Sequence, residues 1–223
     1  MIKPDLIIRS YRKSLCISIS KDGELIVRAP KRLDIKYIFD FINQKEKWII
    51  KKKKEMLEKN NKNLDVVNYE KFYYLGKLYK RQLLNGVKEV ELTNNSILFP
   101  PNIDKRQMLS LAQTFYINST KEILKNRIEY FASLMKLNYT SVSIMNNKTR
   151  WGSCTKDGEL NFNFRLSLLP PKVIDYIIIH ELAHLIEFNH SKKFYKVVEC
   201  IMPKYKNYRK ELKDYDYLLQ IYR

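Results

Sequence analysis

The sequence is poor in cysteine, the residue that builds disulfide frameworks and zinc ribbons. It contains three cysteines, Cys16, Cys154 and Cys200, and no Cys-x-x-Cys pair. An odd number of widely separated cysteines argues against a disulfide-linked fold and against a cysteine-based zinc site. The sequence therefore predicts a protein of a reducing compartment, and we expect a cytoplasmic location.

Long apolar runs are also missing. Residues 1–5 lack the apolar segment of a signal peptide. No stretch approaches the roughly 20 apolar residues that a membrane-spanning helix needs. Hydrophobic residues still make up 45% of the chain, which excludes a mostly disordered protein. We expect a folded protein with no membrane partner.

Acidic residues are outnumbered by basic ones. The chain has 24 Asp and Glu against 42 Lys and Arg, a formal net charge of +18. Such a surplus indicates polyanionic partners, among them nucleic acids, nucleotides and acidic proteins. An A/T-rich genome, which favours Lys and Asn codons, explains the composition equally well. Because no nucleic-acid-binding motif is recognisable, charge alone does not predict a DNA-binding protein.

Histidine is scarce, and all three histidines lie in one short window. The three histidines are His180, His184 and His190, and the first two enclose the sequence His-Glu-Leu-Ala-His. Residues four apart lie on one face of a helix, so two imidazoles can reach one metal ion. Glu181 lies about 100° further round, where it misses the metal but reaches a zinc-bound water and can take its proton.

His190 can join the site only if the helix ends before it. In a continuous helix His190 would lie about 9 Å further along the axis than His184, too far for a shared metal with bonds of about 2 Å. The helix is therefore predicted to end between Glu187 and Asn189. Asn189 is a suitable terminator because asparagine tolerates the left-handed conformation, and Ser191 can cap a following helix.

Three protein ligands with an open fourth position are typical of a catalytic zinc site. We expect His180, His184 and His190 to bind Zn²⁺. An alternative ligand set replaces His190 with Glu187 or Glu199. The helix that carries the motif is apolar on most sides, so it is predicted to be buried, and idle polar groups there would be costly.

The predicted fold class is α+β: an N-terminal β-rich unit with one long helix, residues 1–100, packed on a C-terminal zincin-like unit, residues 101–223. The two parts could also form one continuous domain. In the first half, Asp-Gly at 22–23 and Asn-Gly at 85–86 predict hairpin turns. The elements predicted there are strands in 6–28, a helix over 34–60, a loop over 60–68 and strands in 70–99.

The second half is predicted to combine helices with a small sheet. Asn118-Ser119 suggests a break in its first long helix, and Lys156-Asp157-Gly158 predicts a hairpin turn. The elements predicted there are a helix or helix pair over 104–137, strands over 140–145, 149–154 and 159–164, and helices over 172–187 and 192–200.

Residues 150–205 also contain a series of short motifs that resembles the YgjP-like metallopeptidase family, also called domain-of-unknown-function 45 and described as SprT-like. The N-terminal half matches that family only in general character. The matching residues are Arg150-Trp151-Gly152-Ser153-Cys154, Asn163, Arg165, Leu166, Pro170-Pro171, Val173-Ile174-Asp175-Tyr176, His180-Glu181-Leu182-Ala183-His184-Leu185, Asn189-His190-Ser191, Phe194, Pro203 and Tyr205.

The resemblance implies a zinc-dependent hydrolase with the three histidines as ligands and Glu181 as the catalytic acid and base. It also implies that the strand Arg150–Cys154 lies beside the active-site helix, like the edge strand of other zincins. Tyr195 stands where the family commonly has Trp. Glu187 occupies the position of the metzincin glycine, so a metzincin is not predicted.

Two arginines and an asparagine are candidates for substrate or anion binding. Arg150 and Arg165 can hold an anionic group or an oxyanion near the metal, or they can form salt bridges and strand-edge contacts. Asn163 can bond the substrate backbone or the loops of the site. Cys154 is interpreted as structural, because no further histidine is present to activate it.

These observations predict a zinc metallopeptidase that hydrolyses peptide bonds with zinc-bound water and Glu181 as general base. The alternative is a metal-dependent nucleoside triphosphate pyrophosphohydrolase, which the positive charge would favour. A minor alternative is a nucleic-acid-associated protein. The predicted cofactor is Zn²⁺, and the predicted substrate is a peptide, a protein or a nucleotide.

Overall fold

A computed structural model describes residues 2–20 and 23–222, with residues 57–65 and 67 described by their backbone alone. The chain divides into two compact units, Met1–Asn68 and Tyr69–Arg223. This division lies about thirty residues before the boundary near residue 100 that the composition suggests. Both units mix helices with small sheets, in agreement with the predicted α+β class.

The first unit is a three-stranded sheet that shares a core with two helices. Its strands are β1 Leu6–Ser10, β2 Cys16–Ile19 and β3 Leu25–Pro30, in the order β1-β3-β2. Strand β3 is parallel to β1 and antiparallel to β2. Alternate residues of β3 point into the core, as the period of a strand requires. The fully buried residues are Leu25, Val27, Ala29, Ile38, Ile42 and Ile49. Lys21 and Asp22 of the predicted hairpin turn lie outside the described residues.

The helical segment of this unit differs from the prediction at both its middle and its end. It forms two helices, α1 Ile35–Gln44 and α2 Glu46–Val67, with Asp34 capping the first through a bond from the Lys36 N–H. The loop predicted over residues 60–68 is wrong, because α2 continues to Val67. The loop is predicted from polar composition, but this segment contains neither proline nor glycine, and the polar residues in it cost a helix only a fraction of a kcal/mol each, at most about 0.7.

The second unit begins with a four-stranded sheet. Its strands are β4 Lys71–Tyr74, β5 Lys77–Leu83, β6 Glu91–Leu92 and β7 Ser96–Phe99, and their order is β4-β5-β7-β6. Strand β5 pairs with β7 in parallel rather than with β6. The hairpin predicted at Asn85-Gly86 is therefore wrong, although Gly86 does have a positive φ of 89°.

Helix α3, Lys105–Met135, is one continuous helix. Asp104 and Gln107 form a reciprocal capping box at its start. The break predicted at Asn118-Ser119 is wrong, because these polar residues lie off the buried stripe that includes Tyr116 and Thr120. A polar pair on the outer side of a helix leaves the backbone hydrogen bonds intact.

The remaining elements build the region around the histidines. They are β8 Ser141–Met145, β9 Gly152–Cys154, β10 Glu159–Asn163, a 3₁₀ helix Phe164–Leu168, α4 Pro171–Ala183, α5 Lys192–Ile201, α6 Tyr205–Leu212 and a 3₁₀ helix Asp216–Gln220. The three strands form a sheet in the order β8-β10-β9, so β9 lies at its edge, antiparallel to β10 as the predicted hairpin requires. Helix α4 packs against α3, α5, α6 and β9.

Helix α4 is buried, as its sequence predicts. Ile177, Ile178, Ile179 and Leu182 are at most 2% exposed. Burying each such side chain contributes about 1.5–3 kcal/mol, so the helix that carries the motif is rigidly held. Within the described part of the chain, no helix has both the length and the apolar character needed to cross a bilayer.

The β4–β5 hairpin is bonded to the segment that leads into α4. The N–H groups of Leu75 and Gly76 donate to the carbonyl oxygens of Ser167 and Leu168. A Cβ at Gly76 would lie 2.7 Å from Cγ of Pro170, the residue before α4. These contacts place the first sheet of this unit in the same compact body as α4.

We expect Gly76→Ala to lower the free energy of unfolding by about 3 kcal/mol. The substitution adds backbone strain at a φ of 79° and a clash with Pro170, and each effect costs about 1–3 kcal/mol. Gly86→Ala is the matched control, since its φ is 89° but no atom lies within 4 Å of the added Cβ. Urea unfolding compares the two variants; equal losses would contradict the packing of the hairpin on Pro170.

Candidate metal centre

The three histidines of the sequence converge on one point. The ring centroids of His180 and His184 are 5.0 Å apart, and the ring of His190 lies 4.9 Å from the first and 4.8 Å from the second. One nitrogen from each ring lies within 4.8 Å of the others. His180 and His184 are partly buried, and His190 is exposed. The site is therefore open to solvent on the side of His190.

The chain reverses between His184 and His190 because α4 ends early. The helix stops at Ala183, and the N–H groups of Leu185 and Ile186 bond three residues back, which tightens the last turn. The predicted end between Glu187 and Asn189 is therefore about four residues too late, although the break itself is present.

Asn189 does not have the left-handed conformation that was predicted for it, since it is not among the described residues with positive φ. Its side-chain oxygen accepts instead from the Ser191 N–H, which folds the chain back. Ser191 then caps α5 by accepting from the N–H groups of Lys193 and Phe194, as the sequence predicted. Two short polar side chains thus direct the chain from one helix into the next.

The nitrogen atoms are arranged as metal ligands require. His184 Nδ1 lies 3.2 Å from the Glu187 carbonyl oxygen. A carbonyl can only accept, so Nδ1 carries the proton and the lone pair of His184 is on Nε2. The Nε2 atoms of His180 and His190 face each other at 3.0 Å. Bonds of about 2 Å to a tetrahedral zinc ion hold their ligand atoms slightly more than 3 Å apart, so the separation of this pair fits a shared metal ion.

Burial favours the neutral form of His180 and His184. It is the largest of the causes that lower the pKa of His180 to about 3, the others being the charges of His184, His190 and Arg209. Burial also lowers the pKa of His184. Metal ions bind the neutral imidazole, so these two side chains are held in the form that can bind one.

The Phe194 ring contacts all three imidazole rings. It is fully buried in α5, and its ring centroid lies 4.9 Å from His180, 4.6 Å from His184 and 4.9 Å from His190. A rigid aromatic ring in contact with every imidazole restricts their rotation. Phe194 thus links the helix after the third histidine to the two histidines at the C-terminal end of α4.

The two glutamates of the alternative ligand set lie outside the metal-binding cluster. Glu187 holds His184 through its backbone oxygen. Glu199 is exposed and lies 3.8 Å from Lys206. Over the described residues, the cluster able to hold a metal consists of the three histidines.

The Glu181 side chain packs against the edge strand β9. Its side chain is 6% exposed, and burial raises its pKa to about 8 while the charge of Arg150 lowers it. A Cβ at Gly152 would lie 2.7 Å from a carboxylate oxygen of Glu181. The backbone of β9 therefore approaches the carboxylate as closely as only glycine allows.

Of the three candidate anion-binding residues, Arg150 is the exposed one, and its charge lowers the pKa of Glu181. Asn163 is fully buried and donates to the carbonyl oxygens of Asn147 and Arg150. Its side-chain oxygen accepts from the Arg165 N–H. Of the two roles considered for Asn163, these bonds are those of a residue that orders the protein's own loops.

Arg165 is also fully buried, and its bonds are internal. Its guanidinium donates to the carbonyl oxygens of Ile221 and Tyr222 and to the side chain of Asn146. An anion could reach it only by displacing these partners. Arg165 therefore ties the end of the described chain to the loop before β9.

Two further bonds fasten the same loop to the 3₁₀ helix Asp216–Gln220. Trp151 Nε1 donates to Asp216 at 3.1 Å, and the Gln220 side chain donates to the Lys148 carbonyl oxygen. The position of β9 over Glu181 thus depends on the C-terminal segment. Neither Asp216 nor Gln220 belongs to a recognisable motif, so the sequence gives no signal for this role.

Cys154 fits the structural interpretation. It is partly buried, and its burial together with the charge of Glu181 raises its pKa to about 11. A thiol with such a pKa is almost entirely protonated at neutral pH and is a poor nucleophile.

Two residues that lie beside the histidines are not among the predicted site residues: Arg209 and Tyr195. The Arg209 guanidinium lies 4.9 Å above the Tyr195 ring, and Tyr195 stacks against His190 with centroids 6.2 Å apart. Arg209 follows His190 by nineteen residues in a polar helix. No spacing in the sequence predicts that it returns to the site.

Comparisons with known proteins identify a family for most of the chain. The family model for the YgjP-like, metallopeptidase domain matches residues 13–215. No curated protein matches the sequence. A solved structure, the metallopeptidase zymogen of Pyrococcus abyssi abylysin, aligns at 24% identity over 40% of this chain and 90% of that chain, with a TM-score of 0.38.

We expect His180→Ala, His184→Ala and His190→Ala each to weaken zinc binding by at least about 100-fold, because each removes a nitrogen ligand. Glu187→Gln and Glu199→Gln are the matched controls and should bind zinc as tightly as the unchanged protein. Competition with a chromophoric chelator measures all five affinities. A larger loss for either glutamine variant than for His190→Ala would favour the alternative ligand set.

Proposed function

The chain belongs to the YgjP-like metallopeptidase family, and we propose that it hydrolyses peptide bonds with a zinc ion held by His180, His184 and His190 and with Glu181 as general base. The observation that carries this proposal is the convergence of three imidazole nitrogens at the end of a helix in which the residue after the first histidine is a buried carboxylate.

The ligand chemistry favours zinc. Three imidazoles without a thiolate, with one side open to solvent, suit a catalytic zinc ion better than a hard cation such as Mg²⁺, which prefers oxygen ligands. When bound, zinc supplies a Lewis acid that lowers the pKa of a water molecule to about 7 and polarises a carbonyl group.

Glu181 is suited to move a proton. Its low exposure means that few water molecules compete for its carboxylate. It follows His180 directly on α4, and the rigid packing of that helix fixes its position. We propose that it accepts a proton from the attacking water and then transfers it to the leaving amine, as a general base and acid does.

Strand β9 is suited to hold the substrate. It lies at the edge of its sheet, beside α4. An extended peptide can add to such an edge through backbone hydrogen bonds. A peptide held there would pass the point at which Gly152 touches Glu181. Support for a peptide substrate thus comes from the position of the strand as well as from the family.

The pyrophosphohydrolase alternative loses much of its support. A triphosphate needs several free cationic or amide donors near the metal. Arg165 and Asn163, two of the three residues considered for that role, bond to the protein's own carbonyl groups. We therefore propose a peptide substrate only.

We expect Glu181→Gln to lower peptide hydrolysis by about 10²–10⁴-fold, the usual contribution of a general base, while zinc affinity stays within a few-fold. Cleavage of a fluorogenic peptide library and a chelator competition measure the two quantities. Glu187→Gln serves as the control for loss of a carboxylate nearby. Hydrolysis that survives Glu181→Gln would exclude the proposed role.

We expect Gly152→Ala to lower hydrolysis by about 100-fold without loss of zinc binding. The added methyl group would displace the Glu181 carboxylate, because the Cβ position lies 2.7 Å from its oxygen, and a displacement of about 1 Å has this effect on rate. Ser153→Ala is the control, since the next side chain of a strand points to the opposite face. Equal activity of both variants would show that Glu181 does not act from this position.

A further inference from the structure

Two tyrosines and an arginine form a surface beside the third histidine, which we call the tyrosine–arginine shelf: Tyr195, Tyr205 and Arg209. The Tyr195 and Tyr205 rings stack at 5.6 Å with an angle of 12° between their planes. Tyr195 stacks at 6.2 Å and 27° on His190. The Arg209 guanidinium lies over Tyr195, so one tyrosine ring separates it from the metal centre.

The shelf fixes the direction of Arg209 while leaving its donors free. Stacking on an aromatic face uses the plane of the guanidinium and leaves the N–H groups at its edge available. Arg209 is exposed, and in the part of the chain that the structure describes no carboxylate lies within 4.0 Å of it. An oriented guanidinium without an acidic partner is a ready bidentate site for a carboxylate.

The two helices that carry the shelf, α5 and α6, are rich in exposed lysines and contain few acidic residues. Such a surface attracts anionic ligands. The exposed cationic side chains of this surface, besides Arg209, include Lys192, Lys193, Lys196, Lys204, Lys206 and Lys210.

We propose that Arg209, held by Tyr195, binds a carboxylate of the peptide substrate close to the bond that is cleaved. This inference rests on the proposed peptidase function and names the substrate class that the site prefers. An extended peptide advances about 3.3 Å per residue. A guanidinium one ring away from His190 therefore reaches a residue within two or three positions of the scissile bond.

Two sources can supply that carboxylate: an aspartate or glutamate side chain, or the C-terminus of the peptide. The first would make the enzyme selective for acidic sequences, and the second would make it act near chain ends. Both share the same chemistry at Arg209. Peptides that carry one carboxylate each distinguish them.

The experiment measures peptide affinity in full-length Glu181→Gln protein loaded with zinc, so that no cleavage occurs. Three labelled peptides of one apolar sequence are compared by fluorescence anisotropy: one with a single glutamate and an amidated end, one with a free C-terminus only, and one with neither. The added substitutions are Arg209→Gln, Arg209→Lys and Lys210→Gln. The last is the matched control, because it removes the same charge from the next position of α6.

We expect Arg209→Gln to weaken one of the two carboxylate-bearing peptides by about 10- to 100-fold, the range for a charge-assisted hydrogen-bonded pair, and the neutral peptide by less than about 3-fold. Arg209→Lys should retain part of the preference, since it keeps the charge but loses the planar fork. Lys210→Gln should change all three affinities little.

Equal weakening of all three peptides by Arg209→Gln, or equal effects of Arg209→Gln and Lys210→Gln, would overturn the inference and leave Arg209 as a brace for Tyr195. Failure of the peptidase proposal has a different signature. The carboxylate preference would then persist in the binding assay, while the same peptides would remain uncleaved by zinc-loaded protein with Glu181 intact.

Discussion

The convergence of the three imidazoles depends on the end of helix α4 at Ala183. His180 and His184 share a face because His184, the residue directly after the helix, keeps helical backbone angles, and His190 can reach them because the chain turns back beyond it. The chain reversal is held by backbone bonds in the tightened last turn and by the bond between the Asn189 side chain and the Ser191 N–H. Because α4 is buried on nearly all sides, this end cannot shift without disturbing the core.

A second constraint is the close approach of β9 to α4. Gly152 allows the strand to touch Glu181, and the loop before the strand is fastened to the C-terminal segment by Arg165 and by Trp151. The carboxylate is thereby kept from water, which raises its pKa. One helix, one edge strand and one C-terminal segment thus position the buried carboxylate of the candidate site.

The sequence predicts the parts of this site that depend on local spacing, and it misses those that depend on tertiary packing. The window from His180 to His190, the need for a helix break and the Ser191 cap follow from helix geometry alone. The early end of α4, the continuous α3 and the pairing of β5 with β7 depend on which residues are packed together. Arg165 illustrates the same limit, since a motif arginine with the chemistry of an anion ligand is bonded internally, whereas Arg209 in an unmarked helix lies beside the centre.

The central claim is that three imidazole nitrogens hold a zinc ion with one position open to solvent. X-ray absorption at the zinc K-edge of the full-length protein tests it most directly. We expect three imidazole nitrogens at about 2.0–2.1 Å and one further light-atom ligand, with no sulfur. A scatterer at about 2.3 Å, as a cysteine thiolate would give, four imidazole or carboxylate ligands without an exchangeable position, or no stoichiometric zinc would contradict it.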